Sequence, residues 1–152
     1  MHLAHYLGLL HRAQTTLADA FRQVAKAHAA EPDIFHLCHQ QARVSDHHAD
    51  LLRPFAERYS EEAPDEPDRL HSELFRGTRT GGIGLLRDLQ DLYLMAAECE
   101  ICWTVVGQAA RGARDQELQQ VVRDCEGETA IQLKWLRTRM KAAAPQALVV
   151  AD

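Results

Sequence analysis

Glycine and proline are scarce in this chain, eight and five residues of 152, and most of them sit between periodic segments rather than inside them. Nothing alternates apolar and polar residues over a strand's length, so a β-sheet protein is excluded and an all-α one is expected. There is no run of lysine and arginine, and the formal net charge is −5, which argues against a nucleic-acid partner. No apolar stretch approaches the roughly 20 residues of a membrane span, so no membrane partner is expected either. The first residues, Met1 to Arg12, lack the basic region and small-residue cleavage site of a signal peptide, and the default compartment is the cytoplasm. The four cysteines, Cys38, Cys99, Cys102 and Cys125, fall inside helical patterns rather than at framework spacings, so reduced thiols are expected.

What the chain does contain is helical periodicity, most clearly from Leu85 to Ala110. Leu85, Leu89, Leu92, Ala96, Cys99, Trp103, Val106 and Ala110 recur at steps of four and three, the period of one buried helical stripe. Three further segments behave alike. Residues 2–30 carry Leu3, Leu7, Leu10, Gln14, Leu17, Phe21, Val24 and His28. Residues 33–59 carry Ile34, Cys38, Gln41 or Ala42, Ser45, His48, Leu52 and Phe55. Residues 116–144 carry Val122, Glu126, Thr129, Leu133, Leu136 and Met140, with Leu118, Cys125 and Trp135 beside them. With residues 83–111 as the third, these make four helices in a single domain, 1–152.

The connections differ in kind. Glu31-Pro32 and Gly112 to Asp115 are short turns, with Gly112 suited to the C′ position and Asp115 to the N-cap. Residues 60–84 are long, acidic and proline-bearing, with two short helical turns expected over Arg69 to Arg76. Short, long, short gives two helical hairpins joined by a crossover that runs the length of a bundle. Pro145 is expected to end the fourth helix, and the apolar tail 145–152 to dock on its own bundle or on a neighbour.

Equal distances from the two turns place Gln14, Ser45, His48, Glu98, Glu100, Glu126 and Thr129 in one polar band near mid-bundle. Glu100 and Glu126 are expected to approach each other inside the core, with His48 and Gln14 facing them. Two buried carboxylates side by side require a cation, a shared proton or an imidazolium partner. Elsewhere the chemistry is thin. Cys99-Glu100-Ile101-Cys102 has the spacing of a redox motif but lies mid-helix, without the helix N-terminus that activates such thiols. His36 and His39, with His47 and His48 one or two turns on, offer imidazoles for a surface or partly buried metal site, but read first as the polar flank of an amphipathic helix. The turn Gly81-Gly82-Ile83-Gly84, preceded by Arg76 and Arg79, follows no strand and matches no phosphate-binding fingerprint. Ala96, Ala97 and Gly107 leave room for a small-ligand cavity.

The two-hairpin plan with a mid-bundle polar layer resembles the ferritin-like superfamily, which includes the rubrerythrin-type proteins. That resemblance implies a ferritin-like four-helix bundle. It also implies a di-metal site of one Glu from each of two helices and a Glu-x-x-His from each of the others. In this chain the corresponding positions hold Gln14, then Ser45-Asp46-His47-His48, then Glu98 with Glu100 beside it. The fourth helix offers Glu126-Gly127-Glu128-Thr129 or, one register on, Thr129-Ala130-Ile131-Gln132. With most acids replaced, no cofactor and no enzyme activity are expected, and the first reading is a structural or interaction module. The second is a metalloprotein holding iron, manganese or zinc on His48, Glu98, Glu100 and Glu126. Leu94, Ile101 and Val105 form another apolar edge opposite the main stripe of the third helix, which predicts a homodimer.

Overall fold

The computed structural model describes residues 1–61 and 63–150; Glu62 in the crossover and Ala151 and Asp152 in the tail lie outside the described residues. Four helices carry the fold: α1 (Leu3–Ala27), α2 (Pro32–Ser60), α3 (Gly81–Gly112) and α4 (Gln116–Pro145). No strand occurs among the described residues. No helix is long and apolar enough to cross a membrane.

Each helix forms where its stripe predicts, within three residues at either end. On α1, Leu7, Leu10, Leu17, Phe21 and Val24 are all fully buried, and Gln14 is buried with them. Pro32 occupies the first turn of α2, where its missing N–H costs nothing. Asp115 caps α4, its carboxylate accepting the backbone N–H of Leu118 at 3.0 Å. Gly112 was expected just beyond α3 but is its last residue; Ala113 follows as the C-cap, and Arg114 takes the left-handed conformation at φ 55°. Pro145 likewise closes α4 from inside, and one π-helical turn, Gln146–Val150, follows it. Ala147 in that turn is buried beside Gly82, while Leu148, Val149 and Val150 remain exposed.

Side-chain pairs at the ends of the bundle fix the direction of each helix. At one end Tyr59 Oη donates to Asp115 Oδ2 at 2.6 Å, tying the end of α2 to the start of α4. At the other end Arg139 near the close of α4 reaches Asp33 at 2.7 Å, at the start of α2. The two helices are therefore antiparallel. His28, just past α1, meets Asp88 early in α3 at 2.7 Å, so α1 and α3 are antiparallel too. Helices α2 and α3 consequently run in the same direction, and the segment between them must travel the full length of the bundle.

The crossover does so over the groove between α1 and α3. His5 Nε2 donates to the carbonyl of Pro64 at 2.5 Å near one end. Midway, His71 and Leu74 lie against Leu9, Ala13 and Met95. Arg79 reaches Asp88 at the far end. The helical turns expected over Arg69 to Arg76 are absent; that stretch is irregular, with Arg69 at φ 59° and Gly77 at φ 116°. So short a helix makes few internal hydrogen bonds to offset its nucleation. Leu70 and Phe75 still pack on the core, whereas Leu74 is 38% exposed.

Two glycines are required by close approach. A Cβ on Gly107 would lie 3.0 Å from Val122 Cγ1, so the absent side chain lets α4 close onto α3. The space beside Gly107 is thus taken in part by Val122, with a surface groove running past both residues. A Cβ on Gly84 would lie 3.0 Å from the backbone of Arg79, and only glycine lets the crossover settle against the first turn of α3.

Candidate functional site: a polar layer across the bundle

Midway along the bundle polar side chains interrupt the apolar stripes of α1, α2 and α4. Gln14 on α1, Ser45 and His48 on α2, and Thr129 and Gln132 on α4 are all fully buried. From α3 the layer receives Trp103, whose ring meets that of His48 edge-on with centroids 5.9 Å apart. Gln132 Nε2 donates to Ser45 Oγ at 3.0 Å and to the carbonyl of Gln41 at 3.3 Å. Thr129 Oγ1 donates back to the carbonyl of Cys125 at 2.7 Å, the usual satisfaction of a threonine inside a helix.

Several polar atoms in this layer have no partner within the protein: Nε2 and Oε1 of Gln14, both ring nitrogens of His48, Nε1 of Trp103 and Oε1 of Gln132. A buried polar group left dry costs about 1–3 kcal/mol. Six such atoms at one height are a concentration of unmet hydrogen-bonding capacity found nowhere else among the described residues of this core.

The carboxylates expected here lie elsewhere. Glu100 is exposed, on a flank of α3 outside the core. Glu126 is half-buried in a surface groove between α3 and α4, beside Gly107, Arg111 and Val122. Glu98 is half-buried on the other side of α3, near His71 of the crossover, and burial raises its pKa above the usual carboxylate range. The expected approach of Glu100 and Glu126 inside the bundle does not occur.

The reason is the rotation of α4. Its buried line is Leu118, Val122, Cys125, Thr129, Gln132 and Leu136, turned by about 40° from a line through Glu126 and Met140. That rotation brings Glu128, not Glu126, toward His48. Glu128 Oε2 lies 3.6 Å from His48 Nε2, too far for a hydrogen bond, and its side chain is 45% exposed. It also brings in Gln132, which pairs with Ser45 across the α2–α4 contact.

Of the four residues expected as metal ligands, only His48 faces this layer. Among the described residues, no group of three or more His, Cys, Asp or Glu is placed to hold a metal ion. One imidazole and one carboxylate at the rim fall well short of the roughly six ligands of a di-metal centre. Gln14, Ser45, Thr129 and Gln132 add amides and hydroxyls, which bind transition metals poorly compared with carboxylate and imidazole. The layer does not fit a di-metal cofactor.

Burial lowers the pKa of His48, the desolvation outweighing the pull of Glu128 and reinforced by repulsion from His47. His11, desolvated and beside Arg53, shifts the same way. A histidine held neutral in the fold but free to protonate when unfolded lends the unfolded chain extra protons on acidification. Stability is therefore fully retained above the ordinary histidine value of 6.5 and falls as pH drops below it toward the folded values. Thermal melts should show a lower midpoint at pH 5.5 than at pH 8, with a smaller difference in His48→Gln. A midpoint that rises on acidification over that range would contradict the assignment.

The thiols read as buried apolar groups, as expected from sequence. All four are free and buried. Desolvation pushes Cys38 and Cys125 up to about 12 and Cys102 to about 11, and raises Cys99 as well. Burial thus disfavours the thiolate form of Cys99 and Cys102, which stand as free thiols in the core.

A second polar cluster takes only His28 from the helical stripes read in the sequence. Asp88 is fully buried and accepts from His28 Nε2 at 2.7 Å, from the backbone N–H of Arg79 at 3.0 Å and from Arg79 Nη1 at 2.9 Å. Arg79 Nη1 also donates to Asp91 at 2.9 Å. The backbone N–H and Nη1 of Arg79 are thus both committed to carboxylates. Two acids among Leu85, Leu86, Leu89 and Leu92 are the sequence signal that points to a buried pairing there.

Compared with family models, with curated proteins and with solved structures, the chain matches none.

Proposed function

We infer that the chain is a ferritin-like helical-bundle protein that acts without redox catalysis, as a structural or interaction module that pairs with a second copy of itself. The observation carrying this reading is the outer face of α3. Leu94, Ile101 and Val105 are 55%, 64% and 41% exposed, on the side of the helix opposite its buried stripe. Ile83 extends the same line. Helix α3 is thus apolar on two faces, and the bundle covers only one of them.

The line does not end flat. Val105 also lines a hollow of about 370 Å³ with Leu3, Tyr6 and Ala109, so the apolar surface runs from a ridge into a concavity. Each half-exposed aliphatic side chain contributes about 1 kcal/mol on burial, and twofold pairing uses every residue twice. The ferritin-like part of the reading is supported by the hairpin, crossover, hairpin connectivity. It is supported also by the i, i+3 pairs Ser45/His48 and Thr129/Gln132, which face each other where that superfamily carries its Glu-x-x-His motifs. The neutral character of those positions favours a module over an oxidase.

Sedimentation velocity tests the pairing. The parent chain is expected to sediment as a dimer at micromolar concentration. The double variant Leu94→Glu, Ile101→Glu should sediment as a monomer with unchanged helical circular dichroism, weakening association by roughly 30-fold or more, or about 2 kcal/mol. A parent chain that is monomeric at that concentration refutes the proposal.

A further inference from the structure

The polar layer has a chemistry of its own once a di-metal centre is set aside. Its unpartnered atoms divide into donors and acceptors in nearly equal measure. Trp103 Nε1–H can only donate. Gln132 Oε1, a carbonyl oxygen, can only accept, and the amide nitrogen of the same side chain is already engaged with Ser45 and Gln41. Gln14 offers an unmet amide nitrogen and an unmet carbonyl oxygen. A neutral His48 offers one donor and one acceptor.

That mixture selects by charge. A cation cannot use the indole or amide N–H groups, and an anion cannot use the two amide carbonyls. A molecule that both donates and accepts can use all of them. We propose that the mid-bundle layer of Gln14, His48, Trp103 and Gln132 binds small uncharged molecules that both donate and accept hydrogen bonds, with water as its resident, and excludes divalent cations. All four side chains are fully buried, on four different helices. The four side chains come from both hairpins, so their occupants lie within the core that the hairpins share. The carboxylate of Glu128, 45% exposed, lies 3.6 Å from His48 Nε2.

The indole proton of Trp103 is the natural reporter, because it sits in the layer and gives a separate nitrogen-edited NMR signal. Trp135→Phe removes the other indole and makes the assignment unambiguous. In ¹⁵N-labelled Trp135→Phe protein, the Trp103 indole proton should show a cross-relaxation peak to long-lived water. Gln14→Leu in that background should weaken or abolish the peak. Addition of Zn²⁺, the probe for cations, should leave the Trp103 indole and His48 ring signals unmoved, whatever it does at the exposed histidines. An indole proton with no water peak, hydrogen-bonded directly to a protein side chain, overturns the proposal. So does a Zn²⁺-dependent shift of the His48 ring with loss of the water peak, which would make the layer a cation site.

Discussion

Asp88→Ala is expected to lower the stability of the chain by roughly 3–5 kcal/mol, the loss typical when one partner of a buried ionic cluster is removed. The carboxylate is fully buried and holds three groups from two parts of the chain, His28 after α1 and Arg79 at the end of the crossover. Alanine leaves the His28 ring, itself 7% exposed, without its partner and frees the backbone N–H of Arg79. The crossover then loses its anchor at the end where it enters α3. For a chain of this size the midpoint of thermal unfolding should drop by about 10 °C. Urea denaturation gives the free energy directly. Trypsin digestion under native conditions should show faster cutting at Arg76 and Arg79. Asp88→Asn keeps the shape and one acceptor oxygen, and should fall between the parent and the alanine variant. A loss below about 1 kcal/mol for Asp88→Ala would mean that the cluster does not secure the crossover.

Trp103→Ala should cost a comparable amount, about 3–5 kcal/mol, for a different reason. Trp103 is the bulkiest of the fully buried side chains and fills the centre of the bundle where the polar layer crosses it. Truncation opens a cavity beside the His48 ring, whose edge-on aromatic contact is lost as well. Because the neighbours belong to four helices that hold one another in place, the cavity cannot collapse fully. Trp103→Phe keeps most of the apolar volume and the ring contact but removes the indole N–H, so it should cost clearly less than alanine. Chemical denaturation followed by the remaining Trp135 fluorescence measures both. Equal losses for the two variants would show that the indole N–H, not the volume, is what the site depends on.

The helices and their order were legible in the sequence because each helix buries one stripe, and a stripe repeats locally every three to four residues. Leu7, Leu10, Leu17 and Phe21 on α1, or Leu89, Leu92, Cys99 and Val106 on α3, are buried as their spacing predicts. The long middle connection could be recognised from composition alone. So could the apolar outer edge of α3, since Leu94, Ile101 and Val105 lie half a turn from the stripe and remain exposed. His48, Gln14, Ser45 and Thr129 were also placed correctly in the core.

What the stripes could not supply is the rotation of one helix against its neighbours. On α4 a line through Glu126 and another through Cys125 differ by only about one side-chain width, and both are partly apolar. Val122 belongs to both lines, and the packed bundle chose the one that buries Cys125 and Gln132 and leaves Glu126 in an outer groove. The pairing of Asp88 with His28 and Arg79 is equally non-local, joining residues 60 and nine positions apart that meet only after the crossover has folded back. Sequence alone therefore determined the four long helices and the apolar faces of α1, α2 and α3, since both follow from spacing along one chain. The tertiary structure alone decided which polar side chains share a site, because that depends on how helices rotate and slide to fill space against one another.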